Sequence, residues 1–173
     1  MKKFTFFAAI AMIAFTTTNS FAQSTASTTA ASSATVIKPI TITKAGDMNF
    51  GNLVATAAGG AIVLSTANAR SGDAAILLGT QNGTVTAASF TVTGETAFTY
   101  AITLPTGTFN VSNSDPTPAT MAVGSFVSSP NATGTLTAGT ETLKVGATIT
   151  LLANQASGVY TNAADLVVTV YYN

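Results

Sequence analysis

The chain contains no cysteine, no histidine and no tryptophan, and only 7% of its residues are charged. Each gap removes a class of chemistry. Without cysteine there is no disulfide, no thiolate nucleophile and no lipid-bearing amino-terminal cysteine, so an exported domain of this sequence must be held by core packing and backbone ladders alone. Without histidine the usual general base is gone and, with cysteine also missing, so are the usual ligands for zinc and copper. The charges are too few and too scattered to neutralise a row of phosphates or to hold an anionic membrane surface, which argues against nucleic acid and against electrostatic lipid binding. There is no nucleophile elbow, no phosphate-binding loop and no dinucleotide fingerprint, so no cofactor is implied.

What is present begins with an export signal. Lys2 and Lys3 form a basic region, Phe4 to Phe15 an apolar run too short to span a membrane comfortably, and Ser20-Phe21-Ala22 a small-x-small cleavage site. Cleavage before Gln23 would leave 151 residues with four cations against six carboxylates, a net charge of −2. A chain of that size makes one domain and buries roughly two-thirds of its unfolded surface. The product is therefore expected in the periplasm, on the cell surface or outside the cell, with no transmembrane helix after cleavage. Residues 23–34, almost wholly Ser, Thr and Ala, read as a flexible leader because they have nothing large to bury. Residues 35–173 read as a single domain.

Within that domain the dominant signal is alternation. Phe98, Tyr100, Ile102 and Leu104 oppose Ala97, Thr99, Ala101 and Thr103, and Leu143, Val145, Ala147, Ile149 and Leu151 oppose Lys144, Gly146, Thr148 and Thr150. Such period-2 patterns mark half-buried strands. Phe90 with Val92, and Phe109 with Val111, repeat the pattern, and fainter versions cover Val36–Thr43, Met48–Leu53, Ala61–Thr66, Ala75–Leu78 and Met121–Val127. Short strands at this spacing between turn residues predict an all-β antiparallel sandwich. An eight-stranded outer-membrane barrel shares the length, signal and alternation, but aromatic residues do not recur at strand ends as two girdles and the final residue is Asn173.

Two carboxylates suffice for glycoside hydrolysis, but the six here are spread singly, and Glu95 and Asp115 fall in turns where an acidic side chain caps backbone amides. Asp47 with Asn49, or Asn113 with Asp115, offer too few oxygens at a recognised spacing for calcium. Phe98 and Tyr100 share the apolar parity of their strand and read as core, not as a sugar-stacking platform. The expectation is a protein that is not an enzyme.

The ends of the domain carry the most information. Asp165 to Asn173 alternates to the last residue, with Leu166, Val168, Val170 and Tyr172 on one face, and termini usually fray unless they are built into a sheet. At the other end Pro39 marks Val36–Thr43 as an edge strand, with Val36, Ile40 and Ile42 as its apolar residues, because proline cannot donate to a ladder. Two chain ends at sheet edges are places where another subunit can add a strand. The terminal residues Gly158, Leu166, Val168, Val170 and Tyr172 resemble the carboxyl-terminal motif of chaperone-usher pilins.

A broader resemblance covers the domain. Ile40-Thr41-Ile42-Thr43-Lys44, Asp47-Met48-Asn49-Phe50-Gly51, Ser89-Phe90-Thr91-Val92-Thr93-Gly94, Tyr100-Ala101-Ile102-Thr103-Leu104-Pro105, Gly134-Thr135-Leu136, Val145-Gly146-Ala147 and Gly158-Val159-Tyr160-Thr161 resemble, in that order, a family of secreted bacterial domains of unknown function (family 4402). The resemblance implies an immunoglobulin-like, pilin-like sandwich and carries no catalytic residues. The expected function is that of an exported structural or adhesive cell-surface protein, a pilin-like subunit assembled by strand addition, whose partners are copies of itself or related surface subunits. The alternative from another class is a monomeric extracellular module that binds glycan.

Overall fold

The computed structural model describes residues 25–77, 81–163 and 165–173. The export signal lies outside them, as does Leu78. Residues 25–35 carry neither helix nor strand and are exposed. The compact unit runs from Val36 to Asn173.

Ten strands are present among the described residues and no helix. In chain order they are β1 (Thr41–Gly46), β2 (Gly60–Leu64), β3 (Arg70–Gly72), β4 (Ala88–Thr93), β5 (Thr99–Thr103), β6 (Phe109–Ser112), β7 (Thr120–Ser129), β8 (Thr133–Thr135), β9 (Thr140–Leu151) and β10 (Thr169–Tyr172). Every pairing is antiparallel. Seven strands form one sheet, in the order β1-β4-β9-β2-β3 with β6 and β7 joined to β9, and β10-β5-β8 form the second. The two sheets pack as an all-β sandwich. Among the described residues both sheets are open, not closed into a barrel.

β9 organises the larger sheet. Its first half pairs with β4, its second half with β2, and β7 lies along its other edge. Its alternation explains how one strand serves two cores. Leu143 and Val145 join Ala88, Phe90, Val92, Tyr100 and Leu136, whereas Ala147, Ile149 and Leu151 join Ile62, Ile76, Met121 and Val123. The second sheet contributes Tyr100, Val170 and Tyr172 to the first cluster only. Over the other cluster the cover comes from β6 and irregular chain, including Phe50, Leu53, Leu77 and Tyr160.

That division explains where the expected strands differ. Met48–Leu53 alternates but is not a strand. The Asn49 Oδ1 accepts the Gly51 N–H at 2.7 Å and Gly51 has φ of 71°, an Asx turn that breaks the ladder, leaving isolated bridges from Asn49 to Thr86 and from Leu53 to Leu77. The carbonyls of Phe50 and Asn52 are satisfied by the Arg70 guanidinium, each at 2.7 Å, instead of by a neighbouring strand. Two short strands, β3 and β8, form from Arg70-Ser71-Gly72 and Thr133-Gly134-Thr135, which carry no apolar alternation.

Both terminal strands are shorter than their alternation. β1 begins at Thr41, opposite Thr93, because β4 ends there: the Gly94 N–H is taken by the Gly139 carbonyl. Val36 is accordingly 95% exposed and not part of the strand. β10 begins at Thr169, opposite Thr103, because β5 gives way to Leu104-Pro105 and proline has no N–H for a further rung. Residues 165–168 keep the alternation of exposure without the ladder.

Candidate functional site

β1 is the outermost strand of the larger sheet and β10 an outermost strand of the smaller one, and the two come into contact. Among the described residues each pairs on one side only, β1 with β4 and β10 with β5. Ile40, Ile42, Leu166, Val168, Val170 and Tyr172 all pack, partly buried, against the cluster built on Tyr100 and Leu143. Six of the eight residues singled out from the sequence therefore meet along one side of the sandwich. The other two do not: Val36 stands in solvent, and Gly158, with φ of 155°, sits beside Asn113 in the loop before Val159.

Tyr172 fastens this side. Its Oη donates to the Lys38 carbonyl at 2.8 Å and accepts the Glu95 N–H at 2.6 Å. The Glu95 carboxylate in turn accepts the Lys38 N–H at 2.9 Å, so both backbone groups of Lys38 are held. Phe98 packs its ring on that of Tyr172 edge to face, with centroids 5.5 Å apart. Gly94 makes room for the phenol, since a Cβ there would overlap the Tyr172 Oη. Beyond it Asn173 donates from its backbone to the Thr99 carbonyl and from its side chain to Thr99 Oγ1. The expected terminal strand is thus a ladder over Thr169–Tyr172, with Asn173 held to Thr99 just beyond it.

The roles of Lys38, Glu95 and Gly94 were not apparent in the sequence. Each is a common residue in a turn or lead-in segment, and only the 134-residue separation closed by the Tyr172–Lys38 bond reveals it. Phe98 is 40% exposed, at the rim and not in the core as its parity suggested.

The remaining polar candidates are occupied locally. Asp47 pairs with Lys44 Nζ at 2.6 Å, and the Asn113 amide donates to Asp115 at 2.5 Å. Glu141 points inward, accepting the Tyr100 hydroxyl at 2.9 Å and the Thr135 N–H at 2.8 Å. Burial, then the hydrogen bond to Glu141 and its charge, hold the Tyr100 phenol well above the ordinary value for tyrosine. Among the described residues no three His, Cys, Asp or Glu side chains gather in a way that could hold a metal ion, and no helix is long and apolar enough to cross a membrane.

Fold and site together define an all-β sandwich whose two terminal strands meet as adjacent edges. A family model, Domain of unknown function (DUF4402), matches residues 40–172, and the chain belongs to that family. The match runs from Ile40 to Tyr172 and so takes in both edge strands and the fastening tyrosine. No curated protein and no solved structure matched the chain significantly.

Proposed function

We propose that the chain is an exported, non-enzymatic structural or adhesive cell-surface protein that assembles by strand addition at the β1/β10 side. One observation carries this reading: two strands from different sheets lie side by side, each with one backbone edge unpaired among the described residues, over six half-buried apolar side chains. Unpaired edges template pairing with another chain, and proteins that avoid assembly usually guard them with charge. Here the outward residues of β1 and β10 include Thr41, Thr43, Thr169 and Tyr171, and the one charged residue on either strand, the exposed Lys44, is neutralised by Asp47 at 2.6 Å. The partner is a second copy or a related subunit supplying an extended segment.

Size-exclusion chromatography and negative-stain imaging of the purified protein test this directly. Concentration-dependent oligomers or fibres are expected, and they should be suppressed when Thr43→Lys and Tyr171→Lys place charges on the exposed faces of the two edges. Because both positions are exposed, the double variant should unfold within about 0.5 kcal/mol of the parent for each change. A protein that stays strictly monomeric at high concentration overturns the proposal.

A further inference from the structure

A concavity of about 490 Å³ lies at the end of β1, away from the Tyr172 fastening. Its lining includes Asp47, Asn49, Asn68, Thr86, Ser89 and Lys144. The hydrogen-bond inventory of these side chains is lopsided. Asn49 Oδ1 accepts the Gly51 N–H at 2.7 Å and Asn68 Oδ1 accepts the Ala87 N–H at 2.8 Å, so each amide is anchored through its acceptor with no protein partner for its Nδ2 donors among the described residues. Lys144, half-buried, likewise has no partner for its ammonium among the described residues, nor has Ser89 for its hydroxyl. The Asp47 carboxylate is already compensated by Lys44. The concavity therefore offers free donors and one free positive charge, the complement of a ligand rich in acceptors and carrying a negative charge.

Asn68 is placed for this by its turn. It sits at φ of 63° between β2 and β3, where the Ser65 hydroxyl accepts the N–H groups of Ala67 and Ala69 and the Ser65 carbonyl accepts that of Asn68. Asparagine is among the few residues that tolerate this left-handed backbone.

Beside the concavity lies a neutral hydroxyl surface. The pairings of β1, β4 and β9 align Thr41 with Thr93 and Thr140, and Thr43 with Thr91 and Thr142. These residues have the parity opposite to the inward Ile42, Val92 and Leu143, and therefore share the outer face. Ser89 and Lys144 continue that face two residues further along β4 and β9. The result is two rows of three threonines, spaced about 4.8 Å between strands and about 6.7 Å along them, ending at the free ammonium.

We propose that the concavity binds a carboxylated sugar unit of an acidic polysaccharide, with Lys144 and the amides of Asn49 and Asn68 on the carboxylate and the threonine rows beneath the adjoining hydroxyl-bearing units. One unpaired cation matches one carboxylate, and a hydroxyl surface without further charge suits sugar units better than a densely sulfated or phosphorylated chain. Asn49, Asn68 and Lys144 lie apart from the β10 edge; the threonine rows share Thr41 and Thr43 with the β1 edge, and binding in the concavity does not depend on assembly there.

Titration of the purified protein with trigalacturonate, followed by ¹H–¹⁵N shifts of the Asn49 and Asn68 side-chain amides and by calorimetry, tests the assignment. Shifts confined to these amides and to neighbouring β4 and β9 resonances are expected, with no response to the uncharged galactose trisaccharide. Lys144→Met should weaken binding about tenfold or more, as loss of a charged hydrogen-bond partner does. Asn68→Asp retains the acceptor for Ala87 N–H and the backbone preference but turns donors into a like charge, and should weaken it at least as much. Circular dichroism checks that each variant folds; if Lys144→Met does not, Asn49→Asp, which keeps the Gly51 bond, takes its place. No shift with trigalacturonate, unchanged affinity in the folded variants, equal binding of the neutral trisaccharide, or equally tight binding of inorganic sulfate alone would each overturn the proposal.

Discussion

Two tyrosines on neighbouring strands use the same parts to different ends. Tyr100 and Tyr172 are paired partners in the β5/β10 ladder, each lies over a glycine that leaves it room, and each works with a nearby glutamate. Tyr100 is fully buried and gives its hydroxyl to the Glu141 carboxylate, with Gly134 beneath its ring. Tyr172 is half-exposed and gives its hydroxyl to the backbone of Lys38, while Glu95 binds that same residue from the other side. One seals the middle of a core. The other ties the two ends of the domain together at its rim. The difference is one of burial: inside, a phenol needs a strong acceptor to offset lost water, whereas at the rim the same hydroxyl can recruit a passing backbone that water would otherwise solvate.

Several substitutions test how far that contrast goes. The largest effect is expected from Tyr100→Ala, about 3–5 kcal/mol in denaturant unfolding, because it empties a buried ring site and strands the inward Glu141. Tyr172→Ala should cost about 2–3 kcal/mol, less because half the ring already faces solvent, and should also expose Lys38 and Glu95 amides to hydrogen exchange. Equal costs for the two would erase the distinction between the core tyrosine and the rim tyrosine.

Tyr100→Phe should cost about 2 kcal/mol, the range for a hydrogen bond to a charged group. It also carries a pH signature. The folded protein holds the Tyr100 phenol protonated to higher pH than the unfolded chain, whose value lies near 10.0. The corresponding stability is fully present below that pH and is lost as the pH rises through the folded value. Unfolding midpoints measured from pH 8 upward (~8 to ~11) should fall less steeply in Tyr100→Phe than in the parent. The smallest effect is expected from Tyr172→Phe, about 1 kcal/mol, with faster exchange at Glu95 and little change elsewhere.

The pattern of apolar residues carried the architecture well where one strand face had to be buried. β4, β5, β7 and β9 fall where alternation placed them, because burying one face and wetting the other leaves a period of two in the residues themselves. It misled where alternation was satisfied without a ladder. Met48–Leu53 packs Phe50 and Leu53 into the core while an Asx turn and Arg70 satisfy its backbone, and nothing in the segment alone distinguishes that from pairing. β3 and β8 were invisible for the converse reason: they are three-residue strands defined by their neighbours, and β8 needs Gly134 only because Tyr100 lies against it.

At the candidate site the apolar half was legible and the polar half was not. Ile40, Ile42, Leu166, Val168, Val170 and Tyr172 announced themselves by parity at two ends of the chain. That the ends meet, and that Lys38, Glu95 and Gly94 hold Tyr172 there, follows from hydrogen bonds across 77 and 134 residues of chain.

By itself, then, the sequence determined an all-β domain without thiol or imidazole chemistry and with apolar faces carried to both ends, since composition and period are local properties. The tertiary structure alone decided which edges stay open, which tyrosine is buried, and that Asn49, Asn68 and Lys144 surround one concavity. Those are properties of pairing and packing, set by contacts between residues distant along the chain, and no local pattern encodes which of several compatible partners a strand or side chain will meet.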